Sequence, residues 1–296
     1  MKTETLDARY IDLDLWPTEL AVDAMLEGQM AAVASIQSQS AGIARAAEEA
    51  ALRLGSEGRL VYVGAGTSGR LGVQDGTELY PTFGWPMERM VFLMAGGMDA
   101  LTEAYEGAED DVNAARADID RHSIGAHDVV IGVAASGRTP YTVAAIEQAK
   151  AAGALTIGIS NNAGARLSEA ADHSIVAVTG SEIVGGSTRM KAGTAQKIIL
   201  NLISTAIMIR LGLVYEGRMV AMRISNAKLQ QRGCQMVQDI AGVDADAAAR
   251  ALELAENDIR LGVVIASGVQ LEDARELLER HGGNMRQVMR EVEKRG

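Results

Sequence analysis

The sequence predicts an α/β protein: a doubly wound parallel sheet flanked by helices, with an N-terminal helical segment and a small all-helical C-terminal subdomain. Three observations carry that prediction. Short β-branched runs without polar alternation recur between residues 59 and 178, as in strands buried on both faces. Helical stretches separate them, which is what crossovers between parallel strands require. After Gly217 the strand signal stops and only helical patterns remain.

Residues 17–54 read as helix, since Pro17 suits a first turn and Ala, Leu, Met and Glu dominate the rest of the stretch. Gly55-Ser56-Glu57-Gly58 breaks the pattern. Arg59–Val63 reads as the first strand, with a helix opening at Ser68–Gln74. Met90–Met94 is the second strand, and a helix is predicted from about Glu109 to Asp120. Asp128–Val133 makes the third strand, followed by a helix over Pro140–Ala151. Leu155–Ile159 and Ser174–Val178 complete the set, and a long apolar helix runs from about Thr188 to Leu211. Beyond it, Asp244–Glu256, Ile259–Ala266, Leu271–Arg280 and Asn284–Lys294 are short helices punctuated by Gly242, Gly268 and Gly282-Gly283. The predicted divisions are 1–54, 55–217 and 218–296.

Composition narrows the function. A net charge of −11 argues against nucleic acid, whose phosphates this surface would repel. A small phosphorylated ligand stays open, because it needs only local donors. The single cysteine, Cys234, leaves no intrachain disulfide or cysteine-rich zinc site. MKTETLDARYIDLDL is too polar and acidic for a signal or transit peptide. Ile198–Leu211, interrupted by Asn201, Ser204, Thr205 and Arg210, is too short and polar a stretch to span a bilayer. A soluble cytoplasmic protein is expected, with no membrane or nucleic-acid partner.

Gly64-Ala65-Gly66-Thr67-Ser68-Gly69 spells G-x-G-x-x-G straight after a strand. A dinucleotide site also needs an acid at the end of the second strand, roughly 20 residues on, for the ribose hydroxyls. Here the second strand runs into Ala95-Gly96-Gly97-Met98, and Asp99 lies beyond the turn. Thr67 and Ser68 also replace the small apolar residues of such a loop. A better pattern is repetition. Ala135-Ser136-Gly137-Arg138-Thr139-Pro140 repeats the Ser-Gly-Arg turn after the third strand, and Gly185-Gly186-Ser187-Thr188-Arg189 opens the long helix. Each hydroxyl alone reads as an N-cap. Three hydroxyl-rich helix starts at strand ends point together to a phosphate monoester.

RLVYVGAGTSGRLGVQD, EGAEDD, GVAASGRTPY and SEIVGGSTRMKAGTAQKIILNLISTAIMIRLG resemble N-acetylmuramic acid 6-phosphate etherases of the sugar isomerase (SIS) superfamily. The related glucokinase regulatory protein shares parts of this signature. The resemblance implies that residues 55–217 form a phosphosugar-binding SIS domain. It also implies removal of D-lactate from C3 of the sugar by elimination and hydration, without metal or organic cofactor. Matching positions make Glu78 the general acid for lactate and later the base for water, and Glu109 the base at C2. For the sugar phosphate they implicate Gly66, Thr67, Ser68, Ser136, Gly137, Thr139, Ser187 and Thr188. Arg189 and Lys191 add positive charge or serve as structural ion-pair partners, and Glu182 is a candidate for a sugar hydroxyl or amide.

Read from the residues alone, Glu78 stands in a short, mildly apolar loop that favours a protonated carboxyl. Glu109 opens a helix, where the dipole favours a carboxylate. The chain departs from the family's spelling in Thr77-Glu78-Leu79-Tyr80-Pro81-Thr82 and in Leu26-Glu27-Gly28-Gln29. His122, His127, His173 and His281 fall in no motif and read as surface residues. Two alternatives share the fold: a phosphosugar isomerase, and a non-catalytic phosphosugar-binding regulator. The long apolar helix and the resemblance together imply a homodimer with its site at or near the interface.

Overall fold

The computed structural model describes residues 1–103, 105 and 107–295. Glu106, which opens EGAEDD, lies outside them, as does Gly296 at the end of the expected C-terminal subdomain. In chain order the elements are α1 (Thr18–Ile36), α2 (Ser40–Leu54), β1 (Leu60–Gly64), α3 (Gly66–Thr77), α4 (Leu79–Phe83), β2 (Met90–Met94) and α5 (Val112–Arg121). There follow β3 (Val129–Ala134), α6 (Pro140–Ala151), β4 (Leu155–Ser160), α7 (Arg166–Ala170), β5 (His173–Val176) and α8 (Lys191–Arg210). The chain then forms α9 (Ala227–Ala241), α10 (Ala245–Leu254), α11 (Ile259–Ala266), α12 (Leu271–Arg280) and α13 (Met285–Arg295). These fall into two units, residues 1–76 with 88–206, and residues 77–87 with 207–296. Residues 77–87, read from the sequence as part of the sheet domain, belong with the C-terminal helices.

The first unit is built on a five-stranded sheet of order β2-β1-β3-β4-β5, parallel throughout. β1, β3 and β4 are buried along their whole length, which is why they read as continuous apolar runs. Val61, Val63 and Val130 pack in one core with Ile119 of α5 and Ala145, Ile146 and Ala149 of α6. The chain runs outward from β1 to β2, then crosses back to β3 on the other side of β1. At such a reversal the connections leave the two strands toward opposite faces and open a crevice at their carboxyl ends. Pairing of Gly64 with Val133 puts those two ends level.

The structure departs from the expected helices in several places. Residues 17–54 are two helices, divided by a 3-10 turn at Gln37–Gln39. There Ser40 Oγ donates to the Gln37 carbonyl at 2.9 Å, and Gln39 Oε1 accepts from the Val176 amide at 3.1 Å. Such side-chain bonds compete with the helical ladder. α5 starts at Val112 rather than Glu109, because Asp111 caps it, accepting from the Ala114 amide at 2.8 Å. α9 is not among the expected helices, although Leu229, Met236, Val237 and Ile240 fall at helical spacing on its packed face, Asn226 caps its start and Gly242, at φ 68°, ends it.

α8 is a further case. The apolar stretch Ile198–Leu211 is too short to cross a bilayer, but the helix that contains most of it has 20 residues and a mean hydropathy of 1.3, enough by length and composition. What distinguishes it is burial, since 56% of its most apolar window lies inside the protein. It is a core helix.

The second unit is helical. Val237, Leu252, Ile259, Val264, Leu277 and Val288 form its core. Asp244 and Asp258 cap α10 and α11. Glu78 precedes α4, a short helix where a loop was expected, and its side chain is exposed rather than set among apolar groups.

Candidate active site

A cavity of about 460 Å³ lies at the carboxyl ends of β1 and β3 in the first unit. Gly66, Thr67 and Ser68 line it from the start of α3, Ser136 and Thr139 from the turn into α6, Thr188 from the turn before α8, and Glu109 from the segment before α5. The structure therefore brings seven of the sequence-derived candidates together. As the first residues of a twelve-residue helix, Gly66, Thr67 and Ser68 have amides that no preceding turn accepts. Their donors and the helix dipole suit an anion.

Two glycines set the packing of these turns. A Cβ on Gly69 would stand 2.9 Å from the Gly64 carbonyl oxygen, so the third glycine of GAGTSG lets α3 pack closely on β1. Gly137 has φ 63°, and a Cβ there would stand 2.4 Å from Ala165 Cβ. It shapes the turn from below and does not line the cavity.

Ser68 is buried and belongs to a chain of hydrogen bonds. Its hydroxyl donates to Gln196 Oε1 at 2.9 Å, Gln196 Nε2 donates to Asn161 Oδ1 at 2.9 Å, and Asn161 Nδ2 donates to the Ala177 carbonyl at 3.1 Å. The carbonyl can only accept, so it fixes each amide in turn and leaves the serine proton pointing at Gln196. Ser136 Oγ accepts from the Arg138 amide at 3.1 Å, which leaves its own proton for a ligand.

Glu182 is placed differently from its sequence assignment. It is fully buried, and its two oxygens accept from the Lys191 and Ala192 amides, each at 2.9 Å. A carboxylate engaged with the first amides of α8 is a helix cap, and Glu182 does not line the cavity. Lys191 Nζ donates to the Ser181 carbonyl at 2.9 Å, and Ser187, Arg189 and Lys191 are likewise absent from the lining. Arg70 clamps backbone, donating to the carbonyls of Ala100, Leu101 and Glu103.

Glu109 lies in the middle of a 3-10 turn, Ala108–Asp110, and is exposed. It also lines a second cavity of about 410 Å³, shared with Ala65 and Gly66 and bounded by Arg70, Met94 and Tyr105. Glu109 thus borders both spaces. Glu78 belongs to the other unit, following the last residue of α3. The sequence motifs do not single out Glu4, Asp110 or Arg138, which line the larger cavity. The repeated Ser-Gly-Arg turn is a signal that could have found Arg138, whereas Glu4 carries none. Among the described residues no group of three His, Cys, Asp or Glu is placed to hold a metal ion. His173 and His281 pair with Glu49 and Glu291.

The parallel sheet and the hydroxyl-lined crevice at its β1/β3 reversal define a SIS-domain protein. The SIS domain profile matches residues 111–206, and the glucokinase regulatory protein N-terminal SIS domain matches residues 42–150. A Bacteroides fragilis protein, named as a candidate phosphosugar isomerase of capsule formation, shares the fold with a TM-score of 0.53. It is 20% identical, and the match covers 68% of this chain and 95% of that one. The N-acetylmuramic acid 6-phosphate etherase of Deinococcus radiodurans is 47% identical over all 296 residues, covering 97% of its own length. That of Lactobacillus gasseri is 46% identical over 264 residues, 89% of each chain. The chain belongs to the N-acetylmuramic acid 6-phosphate etherase family.

Proposed function

We propose that the protein cleaves the D-lactyl ether of N-acetylmuramic acid 6-phosphate, giving N-acetylglucosamine 6-phosphate and D-lactate in the recycling of cell-wall amino sugars. The observation that carries this reading is the cavity joining Thr67, Ser136, Thr139 and Thr188 to Glu109, in a chain with full-length etherase relatives. Hydroxyls, helix amides and Arg138 hold the phosphate, and the sugar extends toward Glu109.

The chemistry divides between two carboxyls. In the open-chain aldehyde the carbonyl acidifies the C2 proton, and Glu109 removes it. The C3–oxygen bond then breaks as Glu78 protonates the departing lactate oxygen, leaving an unsaturated aldehyde. Glu78, now a carboxylate, takes a proton from water as the water adds to C3, and the protonated Glu109 returns a proton, exchangeable with solvent, to C2. Two carboxyls in opposite protonation states are what this sequence of steps needs. The exposed position of Glu109 bordering two cavities supports its role, while the pairing with Glu78 rests on the family resemblance.

The enzyme acts as a cytoplasmic homodimer. Val22, Leu26, Met30 and Val33 support this, since they stand 47–60% exposed along one face of α1 at helical spacing. Cys234 is a free thiol, as a reducing compartment allows.

Incubation with N-acetylmuramic acid 6-phosphate in isotopically labelled water tests the reading. Lactate should appear, with hydrogen label at C2 and oxygen label at C3 of the product. Absence of lactate and of exchange at C2 would refute it, and exchange between C1 and C2 of other sugar phosphates would favour an isomerase.

A further inference from the structure

The N-terminal residues form a strap across one wall of the cavity, and nothing in the sequence motifs anticipates it. Thr3 is fully buried. Asn162, just beyond β4, holds the strap through its whole amide: Oδ1 accepts from the Lys2 backbone at 2.9 Å, while Nδ2 donates to Thr3 Oγ1 and to the Ala135 carbonyl, each at 2.9 Å. Ala135 opens the turn that carries Ser136 and Thr139, so one side chain ties the strap to that turn. Further along, Thr5 Oγ1 lies 2.8 Å from Ser181 Oγ. A Cβ on Gly185 would stand 2.4 Å from Leu6 Cδ2, and one on Gly186 would stand 3.4 Å from Glu4 Oε2. Gly185 therefore makes room for the strap, while Gly186 stands in ordinary contact with it.

Glu4 lines the cavity between these anchors. A carboxylate accepts hydrogen bonds and repels a phosphate, so it cannot serve the anionic end of a ligand. Resting on the phosphosugar reading, we infer that Glu4 is a specificity-determining residue, accepting a hydrogen bond from a hydroxyl or amide N–H of the sugar body. The strap holds it there against the pull of solvent. The phosphate turns select the charge, and Glu4 selects what is attached to it.

Titration calorimetry with two probes, N-acetylglucosamine 6-phosphate and inorganic phosphate, tests this on the full chain. Glu4→Ala should weaken the sugar phosphate about tenfold, as expected for loss of a charge-assisted hydrogen bond. It should leave inorganic phosphate unchanged or tighter, because a nearby negative charge is gone. Glu4→Gln should recover part of the loss, since its amide oxygen also accepts. Thr3→Val, which cuts one anchor while keeping the shape, should shift binding in the same direction as Glu4→Ala. In turnover, KM should rise with kcat held. Unchanged sugar-phosphate binding in Glu4→Ala would overturn the inference, and so would an equal loss for both probes. Wild-type protein that binds both probes but releases no lactate would refute the etherase reading and leave the Glu4 result to stand on the binding data.

Discussion

Gln196 lies 2.9 Å behind Ser68 and takes its only hydroxyl proton. The serine nearest the start of α3 therefore holds that helix to α8 and, through Asn161, to the end of β4. Thr67, one residue earlier, is half-buried and lines the same cavity. The two neighbours should behave differently when truncated. Ser68→Ala leaves Gln196 Oε1 buried without a donor and should cost about 1–3 kcal/mol, read as a lower midpoint in urea. Thr67→Val should leave that midpoint unchanged and raise the KM for the sugar phosphate. Equal stability in the two variants would show that the Gln196 bond contributes nothing.

Gly137 is the most constrained residue of the second hydroxyl-rich turn. Substitution by Ala forces φ 63° on a residue with a Cβ and sets that atom 2.4 Å from Ala165 Cβ. Strain and overpacking together should cost at least about 2 kcal/mol and lower affinity for the phosphosugar. Gly66→Ala, with φ 51° and nothing within 4 Å of the new atom, should lose only about 1 kcal/mol. Thermal melts of both variants check the order, and a reversed order would remove the packing argument.

Acid stability should depend on Asp128. Burial raises its carboxyl, but hydrogen bonds from the Arg59 guanidinium and from the Gly125 and Arg59 amides outweigh that and hold it below the ordinary carboxylate range. A depressed carboxyl contributes stability that is present above its unfolded value of about 3.9 and is lost as pH falls through the folded value. Asp128→Asn should lower stability at neutral pH by about 1–3 kcal/mol and flatten the loss below pH about 4. Urea midpoints taken between neutral and acid pH would show the two curves converge; parallel curves would exclude Asp128 as the source.

Catalytic roles separate by isotope. Glu78→Gln should abolish lactate release yet keep exchange of the C2 proton, because the base is intact. Glu109→Gln should lose both. Full activity in Glu109→Gln would mean that another group removes the C2 proton.

Assembly should follow the α1 stripe. Met30→Asp places a charge among Leu26 and Val33, all exposed in the single chain, and should yield monomers in light scattering. An unchanged dimer mass would place the interface elsewhere.

Much of the fold is legible in the sequence because buried parallel strands leave unmistakable apolar runs. VYVG, VVIGVA and LTIGIS each match a strand buried throughout. The split of α1 from α2 is not legible, since it depends on Gln39 meeting the Val176 amide 137 residues away. Glu182 misleads for the same kind of reason. An acid beside a glycine turn reads as a ligand-binding group until α8 is seen to begin on it.

The sequence by itself determined the strands, the three hydroxyl-rich turns and the family, because these are written in contiguous residues whose local chemistry suffices. Only the tertiary structure decided how those turns are used. It set Thr67, Ser136, Thr139 and Thr188 around one cavity and engaged Ser68 with Gln196. It also seated Leu6 against Gly185, and brought Glu4 beside residues more than a hundred positions away. Strand order and the crossing at β1 and β3 bring distant segments to one edge, and no local pattern records which segments those will be.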